Sequence, residues 1–150
     1  MKKFLFSVCC LLACLASTGQ NSTLTLLVGT YTDTESKGIY SFAFNQETGD
    51  SSPLAVTEIA NPSFLTVTPD NRRVYVVSEQ QKEASVSAFG YNPAKGTLRF
   101  KNSKPTEGKD PCHVTFTGKE VTVTNYSSGS LTVFPLKRNG RLKEGTLLDM

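Results

Sequence analysis

The only histidine of the chain, His113, stands beside Cys112 in the segment DPCHVTF. A histidine within hydrogen-bonding reach of a thiol can activate it as a nucleophile, so this pair raises the question of cysteine chemistry. Glu79 is a second group that could exchange protons with a substrate. Hydrogen bonds to an oxygen that becomes negatively charged could come from three further side chains, those of Tyr31, Asn125 and Tyr126. These residue types suit general acid–base catalysis if the fold brings them together.

The elements that would position these residues read as β-strands. Runs such as RRVYVVSE, ASVSAFGY and EVTVTNY are rich in Val, Thr, Phe and Tyr, and they are separated by Gly, Pro, Asn or Asp. No segment has a sustained helical period of apolar residues. The chain is therefore predicted to be all-β.

The predicted strands repeat with a nearly constant period. The runs IYSF, VSAF and LTVF end on Phe42, Phe89 and Phe134, which are 47 and 45 residues apart. The segments NPSFLTVTPD and DPCHVTFTG align in the same register, as do VGTY, VVSE and VTNY. Each phenylalanine is followed by a turn glycine, at Gly49, Gly96 and Gly140. A period of this length, built from four antiparallel strands, is typical of one blade of a β-propeller.

The repeat predicts how the chain is divided. Residues 1–19 are predicted to be a signal peptide, and residues 20–150 a partial β-propeller. Within the propeller we expect an incomplete blade at 24–59, which lacks its innermost strand, a blade at 61–103 and a third at 110–148. Known propellers close with about four to eight blades, and fewer than three are present here. We therefore expect an N-terminal portion of a longer protein whose remaining segments supply the missing blades, or a chain that pairs with other chains.

The first 19 residues have the order of a secretory signal. Lys2 and Lys3 precede an apolar run at 4–16, and small residues follow it. The apolar run is shorter than the roughly 20 residues that cross a membrane, so no stable membrane span is expected. The protein is predicted to be exported, to a periplasm or to the extracellular space. An alternative interpretation takes LLAC as a lipoprotein signal that leaves the protein anchored through Cys14.

Composition excludes several classes of function for the mature chain. Removal of the signal leaves 14 basic and 13 acidic residues, and this balance, with no cluster of basic residues apparent in the sequence, argues against a nucleic-acid partner. Of the four cysteines only Cys112 remains, which excludes an intrachain disulfide and a multi-cysteine zinc site. One histidine with scattered acids offers no metal-ligand cluster, and no cofactor is expected.

Strand direction predicts where a site could lie. In an antiparallel meander the start of the first strand and the end of the second fall on one rim, while the turn between them falls on the opposite rim. Arg72 and Arg73 fall on that opposite rim and are interpreted as part of a solvated hairpin turn. The residues expected together at the channel mouth are Asn61, Ser63, Cys112 and His113 at first-strand starts, with Tyr31, Glu79, Asn125 and Tyr126 at second-strand ends.

Side-chain alternation separates the Cys–His pair. Neighbouring residues of a strand point to opposite faces, so His113 cannot readily activate the adjacent thiol. Cys112 is interpreted as a small core residue, equivalent to Ser63 in the preceding blade. The pairing predicted instead is that of His113 with Tyr126 and, from the preceding blade, with Glu79.

Taken together, the motifs VGTYT, GIYSFAF, NPSFLTVTPDNRRVYVVSE, PCHV and TNYSSGSLTVFPL resemble the lactonase family of seven-bladed β-propellers, whose best-known members are 6-phosphogluconolactonases. The resemblance covers essentially the whole mature chain and implies ring-opening hydrolysis of a sugar lactone; related members form lactones by cyclisation. In the family, further histidine and arginine residues follow the third blade, and this chain ends before them. A signal peptide also fits poorly with a phosphorylated substrate, since sugar phosphates are largely confined to the cytoplasm.

Lactone hydrolysis needs a base for water, donors for the oxyanion and a proton source for the departing ring oxygen. We expect Glu79 and His113 to be catalytic, and we expect Tyr31, Asn125 and Tyr126 to bind the substrate. The scheme requires no metal. Two alternatives stay open: a binding or scaffolding propeller without catalysis, and a lactonising cyclase.

Overall fold

The computed structural model describes residues 22–150, so the predicted signal peptide and Cys14 lie outside the described residues. Within this range the chain forms eleven β-strands and no helix. The strands are β1 (Thr23–Val28), β2 (Gly38–Asn45), β3 (Ser51–Glu58), β4 (Leu65–Val67), β5 (Arg73–Ser78), β6 (Ser85–Asn92), β7 (Thr97–Pro105), β8 (Pro111–Phe116), β9 (Glu120–Asn125), β10 (Ser130–Pro135) and β11 (Thr146–Asp149).

These strands form three antiparallel sheets, in the orders β1-β2-β3, β4-β5-β6-β7 and β8-β9-β10-β11. Each sheet is a meander, because strands that follow one another in the chain are hydrogen-bonded neighbours. The second and third sheets have four strands, and the first has three within the described residues. The predicted fold class, an all-β partial propeller of four-stranded antiparallel blades with fewer than three complete blades, is confirmed.

Two apolar clusters join the sheets, and β5 contributes to both. Val74 and Val76 pack with Ile39 between the first and second sheets. Tyr75 and Val77, on the opposite face of β5, pack against the third sheet. Both faces of β5 are covered, which explains why the run RVYVVS is apolar at consecutive positions rather than at alternate ones. The cluster between the second and third sheets consists of Tyr75, Val77, Val86, Ala88, Val114, Val121, Val123, Phe134 and Leu142.

The sequence repeat corresponds to repeated backbone geometry. The three turn glycines adopt left-handed conformations, with φ of +79° at Gly49, +65° at Gly96 and +80° at Gly140. A side chain is strained in this region, which is why each turn carries glycine. Phe42 and Phe89 each follow a shift of strand register, since the pairing is irregular at Ser41/Phe42 and at Ala88/Phe89.

Candidate functional site

Five connections between strands lie at one end of the sheets, which we call the upper rim. The other five connections lie at the opposite end, the lower rim: 46–50, 68–72, 93–96, 117–119 and 136–145. Each site residue predicted from the sequence lies in an upper-rim connection or at the end of a strand beside one. The upper-rim connections are 29–37, 59–64, 79–84, 106–110 and 126–129.

Glu79 is the centre of a hydrogen-bonded group on the upper rim. Its Oε2 accepts a hydrogen bond from the hydroxyl of Ser63. The pKa of Tyr31 is raised, first by a hydrogen bond between its hydroxyl and the Glu79 carboxylate and then by burial and by the negative charge of Glu79. A hydrogen bond with Ser63 opposes this shift. The side chain of Tyr31 is 56% exposed. The structure therefore brings Glu79, Tyr31 and Ser63 together on an accessible surface.

Asn61 joins the connection that carries Tyr31 to the end of β5. Its Oδ1 accepts hydrogen bonds from the backbone N–H of Thr32 at 2.7 Å and from the Thr32 hydroxyl at 2.9 Å. Its backbone carbonyl accepts a bond from the N–H of Glu79 at 2.9 Å. Asn61 has a φ of +41°, a conformation that asparagine tolerates better than most residues. Asn61 therefore holds the connection that carries Tyr31 beside Glu79.

His113 lies in a second group of the upper rim. Its exposed ring packs against Phe64, with 4.5 Å between the ring centroids and 48° between the ring planes. Its Nδ1 lies 3.5 Å from the hydroxyl oxygen of Thr115. The described contacts of His113 are thus with Phe64 and Thr115 rather than with Tyr126 or Glu79, the partners predicted from the sequence.

Cys112 does not belong to either apolar cluster, so its interpretation as a core residue is wrong. The pairing of β8 with β9 is irregular between Pro111 and His113, and Cys112 is the residue without a partner in that register. Its side chain is partly exposed, and the thiol contacts the carbonyl oxygen of Thr124 at 3.7 Å. Regular alternation fails at this bulge, which explains the error.

Asn125 lies inside the third sheet and is fully buried. Its Nδ2 donates hydrogen bonds to the hydroxyl oxygens of Ser130 at 3.2 Å and Thr132 at 3.0 Å. A Cβ at Gly108 would lie only 2.3 Å from this nitrogen, so the 106–110 connection closes tightly over the amide. Its Oδ1 has no hydrogen-bond partner among residues 22–150. The buried amide supports the rim and does not face the channel mouth, where the sequence placed it.

Tyr126 follows Asn125 directly but is 78% exposed. Its backbone N–H bonds to the carbonyl of Asp110 at 2.9 Å, which repeats the bond between Glu79 and Asn61 one blade earlier. The hydroxyl of Ser127 donates to Asp110 Oδ2. Tyr126 therefore occupies the position equivalent to Glu79, with its side chain accessible to solvent.

Three features of the rim were missed by sequence reasoning: the clamp made by Asn61, the contact of Phe64 with His113, and the support from Asp110. A signal was present for the first and third, since NPS and DPC place Asn61 and Asp110 at equivalent positions before proline. Asn and Asp are enriched among residues with positive φ, and Asp110 has a φ of +52°. The ring contact had no such signal because it joins adjacent sheets.

Among the residues that the structure describes, no three His, Cys, Asp or Glu side chains are grouped so that they could hold a metal ion. In the same range, no helix is long and apolar enough to cross a membrane.

Antiparallel meanders packed face to face, with the predicted site residues on one shared rim, define a portion of a β-propeller. The family model described as lactonase, seven-bladed β-propeller, matches residues 25–148. This chain belongs to that family, which confirms the resemblance seen in the sequence motifs.

Similar proteins carry related names. The chain is 33% identical over 119 residues to a 6-phosphogluconolactonase of Bacillus subtilis (strain 168), a match that covers 77% of this chain and 34% of the relative. A solved structure from Bacteroides fragilis NCTC 9343, provisionally named 6-phosphogluconolactonase, is 48% identical with a TM-score of 0.85 and covers 87% of this chain and 37% of that one. The periplasmic gluconolactonase PpgL of Pseudomonas aeruginosa is 31% identical, with a TM-score of 0.79. The match covers 85% of this chain and 39% of that one. The chain thus spans little more than a third of these relatives.

Proposed function

We propose that the full-length protein hydrolyses a sugar lactone to the aldonic acid, as a 6-phosphogluconolactonase-like carboxylic ester hydrolase. The observation that carries the proposal is the Glu79 carboxylate, held by Ser63 and Tyr31 on the exposed upper rim of a chain from the lactonase family. The names of the similar proteins support a lactone of the gluconolactone type. The remaining blades are expected from segments of the full-length protein beyond this chain.

In the proposed reaction Glu79 accepts a proton from a water molecule while the water oxygen attacks the lactone carbonyl carbon. The carbonyl oxygen becomes an oxyanion, which needs hydrogen-bond donors placed in advance. Tyr31 and Tyr126 present hydroxyl groups on the same rim, and the raised pKa of Tyr31 keeps its proton in place near neutral pH. Glu79 is thus the base and Tyr126 is a donor to the oxyanion. Tyr31 becomes a second donor when its O–H turns away from Glu79 as the carboxylate takes up the proton.

The tetrahedral intermediate then collapses. The bond between the carbonyl carbon and the ring oxygen breaks, and the ring oxygen leaves with the bonding electron pair and takes up a proton. We assign the donation of this proton to the ring of His113, which packs against Phe64. The new carboxylic acid loses its proton and Glu79 releases the proton taken from water; one of these two protons returns to His113, so the products are the open-chain aldonate and one proton.

We also propose that the protein is exported and that its lactone need not carry a phosphate. The support is the signal-like order of residues 1–19 and the similarity to a periplasmic gluconolactonase. Comparing turnover of gluconolactone with that of its 6-phosphate, in the full-length protein without residues 1–19, tests this point. Strict dependence on the phosphate would contradict it.

The catalytic roles are tested by Glu79→Gln and His113→Asn. Loss of a general acid or base lowers turnover by about 10²- to 10⁴-fold, so each variant should lose activity by that order while its thermal unfolding is unchanged. Glu83→Gln is the matched control, since it removes an exposed carboxylate from the same 79–84 connection. Equal activity in Glu79→Gln and the control would refute the role of Glu79.

The hydrolase proposal itself fails if the full-length protein opens neither lactone faster than the spontaneous rate. Binding of gluconolactone without turnover would then favour a binding propeller. Formation of a lactone from a hydroxy acid, with no net hydrolysis, would favour a cyclase.

A further inference from the structure

A row of cations crosses the second sheet near the lower rim. Arg73 of β5 is paired with Gly90 of β6, and Gly90 is in turn paired with Arg99 of β7. Residues directly opposite one another in antiparallel strands project from the same face of the sheet. The two arginines therefore flank a glycine on the face that is turned toward the third sheet, the face on which Tyr75 is buried.

Lys101 and Arg141 extend this row. Burial, followed by the positive charges of Arg73, Arg99 and Arg141, lowers the pKa of Lys101, so the four cationic groups lie within electrostatic reach of one another. The Lys101 Nζ is held in place by a hydrogen bond of 2.7 Å to the backbone carbonyl of Asn139. The sequence suggested no clustered basic excess, but strand pairing assembles one from residues that are distant in the chain.

Gly90 leaves room for the side chains of Lys101 and Arg99, which lie close above its backbone. A Cβ at this position would lie 3.3 Å from Lys101 Cε and 3.9 Å from a terminal nitrogen of Arg99. Glycine within a strand often marks a place where a ligand approaches the backbone closely. Gly90 lines a cleft of about 390 Å³ whose charged lining residues are Arg72, Arg99 and Lys101.

The positive charges of the cleft are poorly compensated. Asp70 pairs with Arg73 at 3.6 Å, but no ion pair within residues 22–150 joins Arg99, Lys101 or Arg141 to a carboxylate. Arg99 and Lys101 lie two residues apart on β7, and Arg73 lies across Gly90 from Arg99, so the positive charges repel one another. An arrangement that costs stability in the empty protein is explained if an anion enters the cleft and neutralises it.

We propose that the cleft beside Gly90, lined by Arg72, Arg99 and Lys101 with Arg73 next to it, binds a multiply charged oxyanion, a phosphate or sulfate group. Guanidinium groups bind such oxyanions through paired N–H donors, and the lysine adds a point charge. Because the cleft lies at the lower rim, this inference is independent of the proposed lactone hydrolysis at the upper rim.

The test is calorimetric titration of the full-length protein with inorganic phosphate, sulfate and glucose 6-phosphate at constant ionic strength, with sodium chloride as the blank. Saturable binding to the wild-type protein is expected. Arg99→Gln and Lys101→Gln should each weaken binding by about tenfold, which corresponds to about 1.4 kcal/mol. Lys82→Gln, which removes an exposed lysine of the upper rim, is the matched control and should change the affinity by less than about twofold.

The free energy of unfolding provides a second test, because the effect of Arg99→Gln on it should change sign when phosphate is added. Without the anion, Arg99→Gln should leave the protein as stable as wild type or more stable, since it removes like-charge repulsion. With saturating phosphate the order should reverse, because only the wild type gains the full binding energy. Absence of binding by all three anions, or an equal loss of affinity in Lys82→Gln, would overturn the proposal. Binding of glucose 6-phosphate alone would identify an organic phosphate as the source of the group, and binding of inorganic phosphate or sulfate would identify the free ion.

Discussion

Replacement of Asn61 gives the sharpest test of how the upper rim is held together. Asn61→Ala removes the acceptor that binds the N–H of Thr32 at 2.7 Å and its hydroxyl at 2.9 Å. Each such bond contributes about 0.5–1.5 kcal/mol to folding. Alanine must also adopt the φ of +41°, which costs about 1–2 kcal/mol in the left-handed region. The expected loss in the free energy of unfolding is therefore about 2–5 kcal/mol.

Two further substitutions separate these contributions. Asn61→Gly loses the same hydrogen bonds but adopts the positive φ without strain, so it should be about 1 kcal/mol more stable than Asn61→Ala after its larger unfolded-state entropy is counted. Asn61→Asp keeps the acceptor and the tolerance of positive φ. It replaces the Nδ2 donor, which faces Asp33 Oδ1 at 3.4 Å, with a carboxylate oxygen. Its stability should lie between wild type and Asn61→Ala, because the acceptor is kept but the new carboxylate faces that of Asp33.

The measurement is urea unfolding of the full-length protein, with turnover of gluconolactone recorded in parallel. Asn61→Ala should also lower kcat, because the connection that carries Tyr31 loses its attachment to Glu79. A loss of less than about 0.5 kcal/mol in Asn61→Ala would show that these hydrogen bonds do not stabilise the rim. Equal stability of the alanine and glycine variants would remove the argument from backbone strain.

Three further predictions concern single groups. Glu79→Gln removes an acceptor and a negative charge, so the pKa of Tyr31 should fall toward its ordinary value, as measured by phenolate absorbance. Burial raises the pKa of Tyr75 above its unfolded value, so the free energy of unfolding should fall as pH rises through the range in which tyrosine ionises. Tyr75→Phe should reduce this alkaline loss. At neutral pH the same substitution should cost about 1 kcal/mol, because it removes the hydrogen bond to the carbonyl of Gly140. Gly108→Ala should lower the free energy of unfolding by about 1–3 kcal/mol, measured by urea unfolding, because its Cβ clashes with the buried amide of Asn125. Gly49→Ala, which meets open space at a φ of +79°, should cost only about 1 kcal/mol.

The fold could be predicted from the sequence because its information is local and repeated. Alternation along strands, glycine at turns such as Gly96, and the recurrence of Phe42 and Phe89 each depend on a few neighbouring residues. The rim on which Glu79 and Tyr31 lie followed from strand direction alone. The hydrogen bond between Glu79 and Ser63 depends on the path of the 59–64 connection, which strand direction does not determine.

The remaining errors arose where a strand ends or bulges. Asn125 was placed at the channel mouth, but it is buried, as is Ser78 at the equivalent position of the preceding blade. The small polar residues at both equivalent positions, Thr30 and Ser78, were a signal that this site faces inward. The contact of His113 with Phe64 depends on the angle between two sheets, which a period in the sequence does not encode.

The two equivalent backbone bonds, from Glu79 to Asn61 and from Tyr126 to Asp110, have a consequence for how the rim presents its side chains. Both measure 2.9 Å, although one position carries a carboxylate and the other a phenol. The main chain thus fixes where the side chain begins, whatever its chemistry. Equivalent positions of successive blades therefore present a carboxylate in one and a phenol in the next from the same backbone frame.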